Sequence, residues 1–146
     1  MKFIKNFGFT LIIALIISGC ATTQNISSGA RTKIYKSNYN QTFKAVVQTL
    51  SDNGYSINTA NSKTGIINTD YSNASTLQAF LTGQRRTKVN AILNKENNGT
   101  EIRLNISIQQ KGTLTGWESA SMTKSQAKKY YDKLFAKIAN NLESEN

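Results

Sequence analysis

The hydrophobic pattern is clearest near the middle of the chain, where Ile102, Leu104, Ile106 and Ile108 alternate with Arg103, Asn105, Ser107 and Gln109. A period of two buries one set and wets the other, so this stretch reads as a strand of an antiparallel sheet covered on one side only. Residues 85–93 read as the strand before it, joined through the turn Glu96-Asn97-Asn98-Gly99. Upstream, residues 32–37 alternate weakly as a first strand. Tyr55, Ile57 and Thr59 form a second, and Asn61-Ser62-Lys63-Thr64-Gly65 turns the chain into a third over 66–71, which makes a hairpin.

Two segments change period. Phe43, Val46, Val47 and Leu50 follow helical spacing, with Asn40 as N-cap and Asn53-Gly54 as the stop, which predicts a helix over 41–53. Near the C-terminus Ala127, Tyr130, Tyr131, Leu134, Phe135, Ile138 and Leu142 fall on one stripe behind a capping box, Thr123-Lys124-Ser125-Gln126. A one-sided sheet needs a cover, and these helices supply it. The expected fold class is α+β, an antiparallel β-sheet packed against two helices, one of them long and C-terminal.

The first twenty residues follow neither rule. Met1-Lys2-Phe3-Ile4-Lys5 is basic, residues 9–17 are apolar apart from Thr10, and Ser18-Gly19 are small. That order is a secretory signal, and the run is shorter than the roughly 20 apolar residues a membrane span needs. Its end carries the single cysteine of the chain, Cys20, which has no partner for a disulfide within the sequence. Ile17-Ser18-Gly19-Cys20 resembles the bacterial lipobox. The resemblance implies cleavage before Cys20, a diacylglyceryl thioether on its sulfur and acylation, palmitate-like, of the new amino group. Ala21 after the cysteine does not signal retention in the inner membrane as Asp would, so the expected location is the outer membrane, lipid-anchored, with the domain expected on the periplasmic side. Two or more acyl chains anchor stably where one does not.

The expected organisation is therefore a signal peptide over 1–19, a lipidated flexible tether over 20–31, rich in Thr, Ser and Gly, and a domain over 32–146. Removing the signal takes away Lys2 and Lys5, so the formal charge falls from +10 to +8. A basic surface favours acidic partners: lipid head groups, lipopolysaccharide phosphates or an acidic protein face. Nucleic acid is not the expected partner of an exported bacterial chain.

The order of apolar and turn positions has a further likeness. Residues 39–46 (Tyr-Asn-Gln-Thr-Phe-Lys-Ala-Val), 50–57 (Leu-Ser-Asp-Asn-Gly-Tyr-Ser-Ile) and 63–67 (Lys-Thr-Gly-Ile-Ile) are similar to the repeated domain of the outer-membrane assembly lipoprotein BamC. The resemblance implies a helix-grip fold, in which an antiparallel sheet grips a long C-terminal helix. It departs from that family in having one domain rather than two and no long N-terminal segment, so the partner-binding residues of that segment carry over to no position here.

The chemical inventory is sparse. The chain has no histidine, which removes the commonest acid-base group and metal ligand. Its carboxylates lie at turns, wet strand positions and the tail, with no pair spaced for a two-carboxylate site, and no Gly-x-Ser-x-Gly elbow or Ser-x-x-Lys motif stands in a strand-to-helix context. The expectation is a non-enzymatic protein without cofactor or metal that binds another envelope protein. The alternative is a module that holds a lipid or small ligand between sheet and long helix.

Three features are candidate binding residues. Arg86 and Lys88 share a face with Asn90 and can form a basic strip with Arg103 of the next strand; the plainer reading is a wet sheet face. Leu77, Phe80 and Leu81 lie in an insertion over 75–83 that is either a flap on the core or a docking knob. Trp117, in a glycine-rich stretch, is expected to plug the core rather than to stand exposed as an anchor.

Overall fold

The computed structural model describes residues 26–73 and 83–144. A four-residue helix α1 (Ser28–Arg31) leads into β1 (Thr32–Tyr35), followed by α2 (Tyr39–Asp52), the hairpin β2 (Ile57–Asn61) and β3 (Ile66–Thr69), the long hairpin β4 (Arg85–Glu96) and β5 (Gly99–Lys111), then β6 (Trp117–Ala120) and α3 (Lys124–Ser144). The fold is α+β: an open six-stranded antiparallel sheet with its helices packed on it. Strand order is β1-β5-β4-β3-β2, and β6 also pairs with β5, at residues 108–111, in line with β1 at residues 100–103.

Parity assigns the faces. Val89, Ala91 and Leu93 of β4 and Ile102, Leu104, Ile106 and Ile108 of β5 are buried against Ala45, Val46 and Leu50 of α2 and Tyr130, Tyr131, Leu134, Phe135 and Ile138 of α3. Burial of these side chains is the main stabilising term. Two helix-to-helix hydrogen bonds lie beside it: Lys137 Nζ donates to Asn53 Oδ1, and Asn141 Nδ2 donates to Thr49 Oγ1 at 2.9 Å. Within the core, the Tyr55 hydroxyl meets Thr87 Oγ1 at 3.0 Å and the Tyr130 hydroxyl at 3.2 Å, so its polar tip is satisfied out of water.

Two turns depend on glycine. Gly65 has φ +73° and Gly99 φ +146°, and a Cβ would come within 2.1 Å of the Leu93 carbonyl oxygen at the first and 2.0 Å of the Tyr35 carbonyl oxygen at the second. Neither position has room for a side chain, and Gly65 returns the contact by accepting the Leu93 N–H at 2.8 Å.

Several expected boundaries move. Helix α2 starts two residues earlier than predicted, because Asn38, not Asn40, is the cap: its Oδ1 accepts the Gln41 N–H at 2.9 Å. The box ahead of α3 forms as read, with Thr123 Oγ1 accepting from Gln126 N–H at 3.2 Å and Gln126 Oε1 accepting from Thr123 N–H at 3.1 Å. Part of the stretch expected to be a flexible tether is packed: Ile26 lies against the core and residues 28–31 are helical. Trp117 is not a core plug. It opens β6, a strand the glycine-rich pattern concealed, and stands half-buried on the opposite side of the sheet from the helices.

Candidate functional site: the open face of the sheet

No described helix or strand covers the second face, which carries the other parity of every strand. Across it run Arg86, Lys88, Asn90, Ile92 and Asn94 of β4, paired in register with Gln109, Ser107, Asn105, Arg103 and Glu101 of β5. Six residues of extended strand, about 20 Å, separate Arg86 from Ile92, and the two ends differ.

At one end Arg86 is the centre. Its guanidinium carbon lies 4.4 Å from the Trp117 ring centroid and 4.8 Å from that of Tyr71, and its Nε donates to Gln109 Oε1 at 2.7 Å. Lys88 Nζ stands 5.1 Å from the same Tyr71 ring. A cation over a ring face is held by the ring quadrupole, which orders both partners without neutralising the charge. Among the described residues neither Arg86 nor Lys88 is ion-paired with a carboxylate. Trp117 pairs in register with Lys111, which adds a further cation at this end.

At the other end Ile66 of β3 lies directly across from Ile92 of β4, and they are 39% and 37% exposed. Ile34 of β1, opposite Glu101 on β5, is 55% exposed. Between these isoleucines Arg103 Nη2 approaches Glu101 Oε1 at 3.8 Å. Arg103 therefore shares a face with Arg86 and Lys88, as period two requires, but it lies at the isoleucine end with an acidic neighbour. The four-residue offset between Lys88, opposite Ser107, and Arg103 splits the expected strip into two separate regions.

Tyr71 is the site residue that sequence reasoning missed. Simple alternation through 66–71 puts Tyr71 with Ile67 and Thr69 on the helix side. The register changes by one residue between Asn68↔Asn90 and the isolated bridge Ser72↔Thr87, and that slip turns Tyr71 to the open face. Asp70 sits at the irregularity, where its carboxylate accepts from Asn58 Nδ2 at 3.1 Å beside the matching bulge of β2.

Two open depressions, of about 710 and 460 Å³, lie where the β1–α2 and β4–β5 connections meet, lined by Lys36, Asn38, Tyr39, Glu96 and Gly99 among others. Between sheet and helices, Leu50, Leu104, Ile106, Leu134 and Phe135 are buried with Phe43 packed against them. No group of three or more metal-ligating side chains gathers among the described residues, and no helix among them is long and apolar enough to cross a membrane. Cys20, Leu77, Phe80 and Leu81 lie outside the described residues. No family model and no curated protein matches the chain.

Proposed function

We propose that the chain is a non-enzymatic outer-membrane lipoprotein, anchored through Cys20, whose single domain is an accessory component of the cell envelope and binds another envelope protein on the open face of its sheet. The helix-grip arrangement and the BamC-like order of residues favour a role beside outer-membrane assembly. The observation that carries the reading is the isoleucine end: Ile34, Ile66 and Ile92 stand in water around the Glu101–Arg103 contact, on a face that no described element covers. A partner that covers these isoleucines gains from desolvating them, and the charged pair between them can fix its register.

A photo-crosslinking residue placed at Ile92 in the natively expressed protein tests it. The expected result is a discrete crosslinked envelope protein that disappears when Ile66 is replaced by Asp; a ladder of unspecific adducts, or none, sinks the reading. Anchoring is tested apart from partner binding. Cys20→Ser removes the sulfur that the thioether requires, so the serine variant is expected to take up no fatty-acid probe and to keep residues 1–19.

A further inference from the structure

The two ends of the open face suit different partners, and the Arg86 end suits a lipid surface. We propose that Arg86, Lys88, Trp117 and Tyr71 form a docking patch for anionic membrane lipid, which lays this end of the domain on the bilayer while the isoleucine end is held away from it. Three observations converge.

The first is chemical. Cations beside amphipathic rings match the head-group layer, where the ring bodies meet the acyl boundary and the charges meet phosphate. Arg86 lies against both rings at 4.4 and 4.8 Å and Lys88 lies 5.1 Å from one of them, so the patch is ordered before any contact forms.

The second is charge. The nearest acidic groups in sequence are Glu118 and Asp70, each next to one of the rings. Glu118 pairs in register with Gln110, which belongs to the other face, and its carboxylate accepts from the Thr115 hydroxyl. Asp70 accepts from Asn58 at 3.1 Å. Glu101, which does share the open face, lies eight residues along β5 from Gln109, the partner of Arg86.

The third is position. The described chain begins with Ile26 packed on the core, and Arg31 Nη1 donates to Asn105 Oδ1 at 2.9 Å. Asn105 is four residues along β5 from Gln109, about 13 Å. From Cys20 to Ile26 there are six residues, with a reach of at most about 20 Å. An anchor at Cys20 therefore keeps the domain close to the bilayer surface; this third argument rests on the lipoprotein reading, whereas the first two do not.

Trp117 is the only tryptophan in the chain, so its fluorescence reads the patch directly. The purified full-length protein is reconstituted with vesicles of phosphatidylcholine, or of phosphatidylcholine with phosphatidylglycerol, each carrying brominated acyl chains as quencher. The expected result is about three-fold more quenching of Trp117 with the anionic vesicles, reversed by high salt as surface attraction is screened. Arg86→Gln/Lys88→Gln is expected to lose the difference, and Lys88→Gln alone, which leaves Arg86 against Trp117, to reduce it in part. Unchanged thermal melts and emission without vesicles separate lost docking from lost folding.

The mass of the N-terminal peptide reports the anchor independently. If the peptide carries no lipid, excess vesicles are added to the free chain and the same comparison is made. Equal quenching by the two vesicle types, or full quenching in the double variant, overturns the proposal with or without an anchor. Loss of a crosslinked protein, or of self-association, in the double variant while quenching stays equal assigns the patch to that partner and overturns the proposal as well.

Discussion

Lys88 and Val89 are neighbours in one strand and belong to different parts of the molecule. Val89 is fully buried against the helices, while Lys88 lies half-buried over Tyr71 on the side that no described helix or strand covers. The same division holds along the whole β4–β5 hairpin, because side chains alternate across a strand and the long described helices pack on one side. Stability and the recognition we propose are thereby assigned to interleaved residues of the same backbone. A substitution one position along is expected to change a different property of the protein, not a weaker version of the same one.

The sharpest test of this division is a truncation on the helix side. Leu104 of β5 and Leu134 of α3 belong to the one buried core between sheet and helices and are 0% and 1% exposed. Replacing either with Ala removes buried methyl groups and leaves a cavity the packed neighbours cannot fill, at a cost of about 2–5 kcal/mol. Urea unfolding should show it as a lower midpoint at unchanged slope. A loss below about 0.5 kcal/mol at both positions would mean that the helices do not cover this face as described.

A second test uses pH. The Tyr35 hydroxyl donates to the Phe135 carbonyl oxygen at 2.6 Å, and burial raises its pKa well above the ordinary tyrosine value. Burial raises Tyr131 too, with a hydrogen bond from the Ile106 backbone and the charge of Arg31 pulling the other way. In the unfolded chain both phenols lose their protons near pH 10, whereas the folded protein holds them. The stability they contribute is thus complete below about pH 10 and falls as pH rises beyond it. Tyr35→Phe should start from lower stability, having lost the Phe135 bond, and decline less steeply between pH 10 and 12. An identical alkaline slope in this variant would remove Tyr35 from the account.

How much of this was legible in the sequence follows from what each element depends on. The β5 strand and both long helices declare themselves through periodicity, since a period of two or 3.6 is a local property. The predicted apolar sets of β5 and α3 are buried, whereas α2 buries Val46 and Leu50 as predicted together with Thr42, Ala45 and Thr49, and leaves Phe43 and Val47 partly exposed. The sixth strand was not legible. Only four residues long, it follows Gly112–Gly116 and is held by its register with Ile108–Lys111, a pairing that no local pattern records. The site was legible by half: Arg86 and Lys88 follow from alternation. Their aromatic partners do not, because Trp117 reaches the open face through that concealed strand and Tyr71 through a one-residue slip. Arg103 was placed on the correct face but too near, since parity reports the side of a sheet and only register reports distance along it.

The smallest effects are expected on the open face, and they should differ between its ends. Arg86→Gln removes two ring contacts and the bond to Gln109, and an exposed cation–π contact is worth about 0.5–1 kcal/mol, so a loss of about 1 kcal/mol is expected. Arg103→Gln removes only a 3.8 Å approach to Glu101 with the arginine half in water, a kind of pair whose net contribution is about 0–1 kcal/mol and often nothing measurable. Adding salt should leave the Arg103 difference near zero and reduce the Arg86 difference only slightly, because the ring contacts are shielded by the aromatic groups themselves. Measured side by side in urea, equal losses at the two positions would show that Trp117 and Tyr71 do not hold Arg86 in solution. The ordered basic patch at that end would then reduce to a pair of solvated side chains.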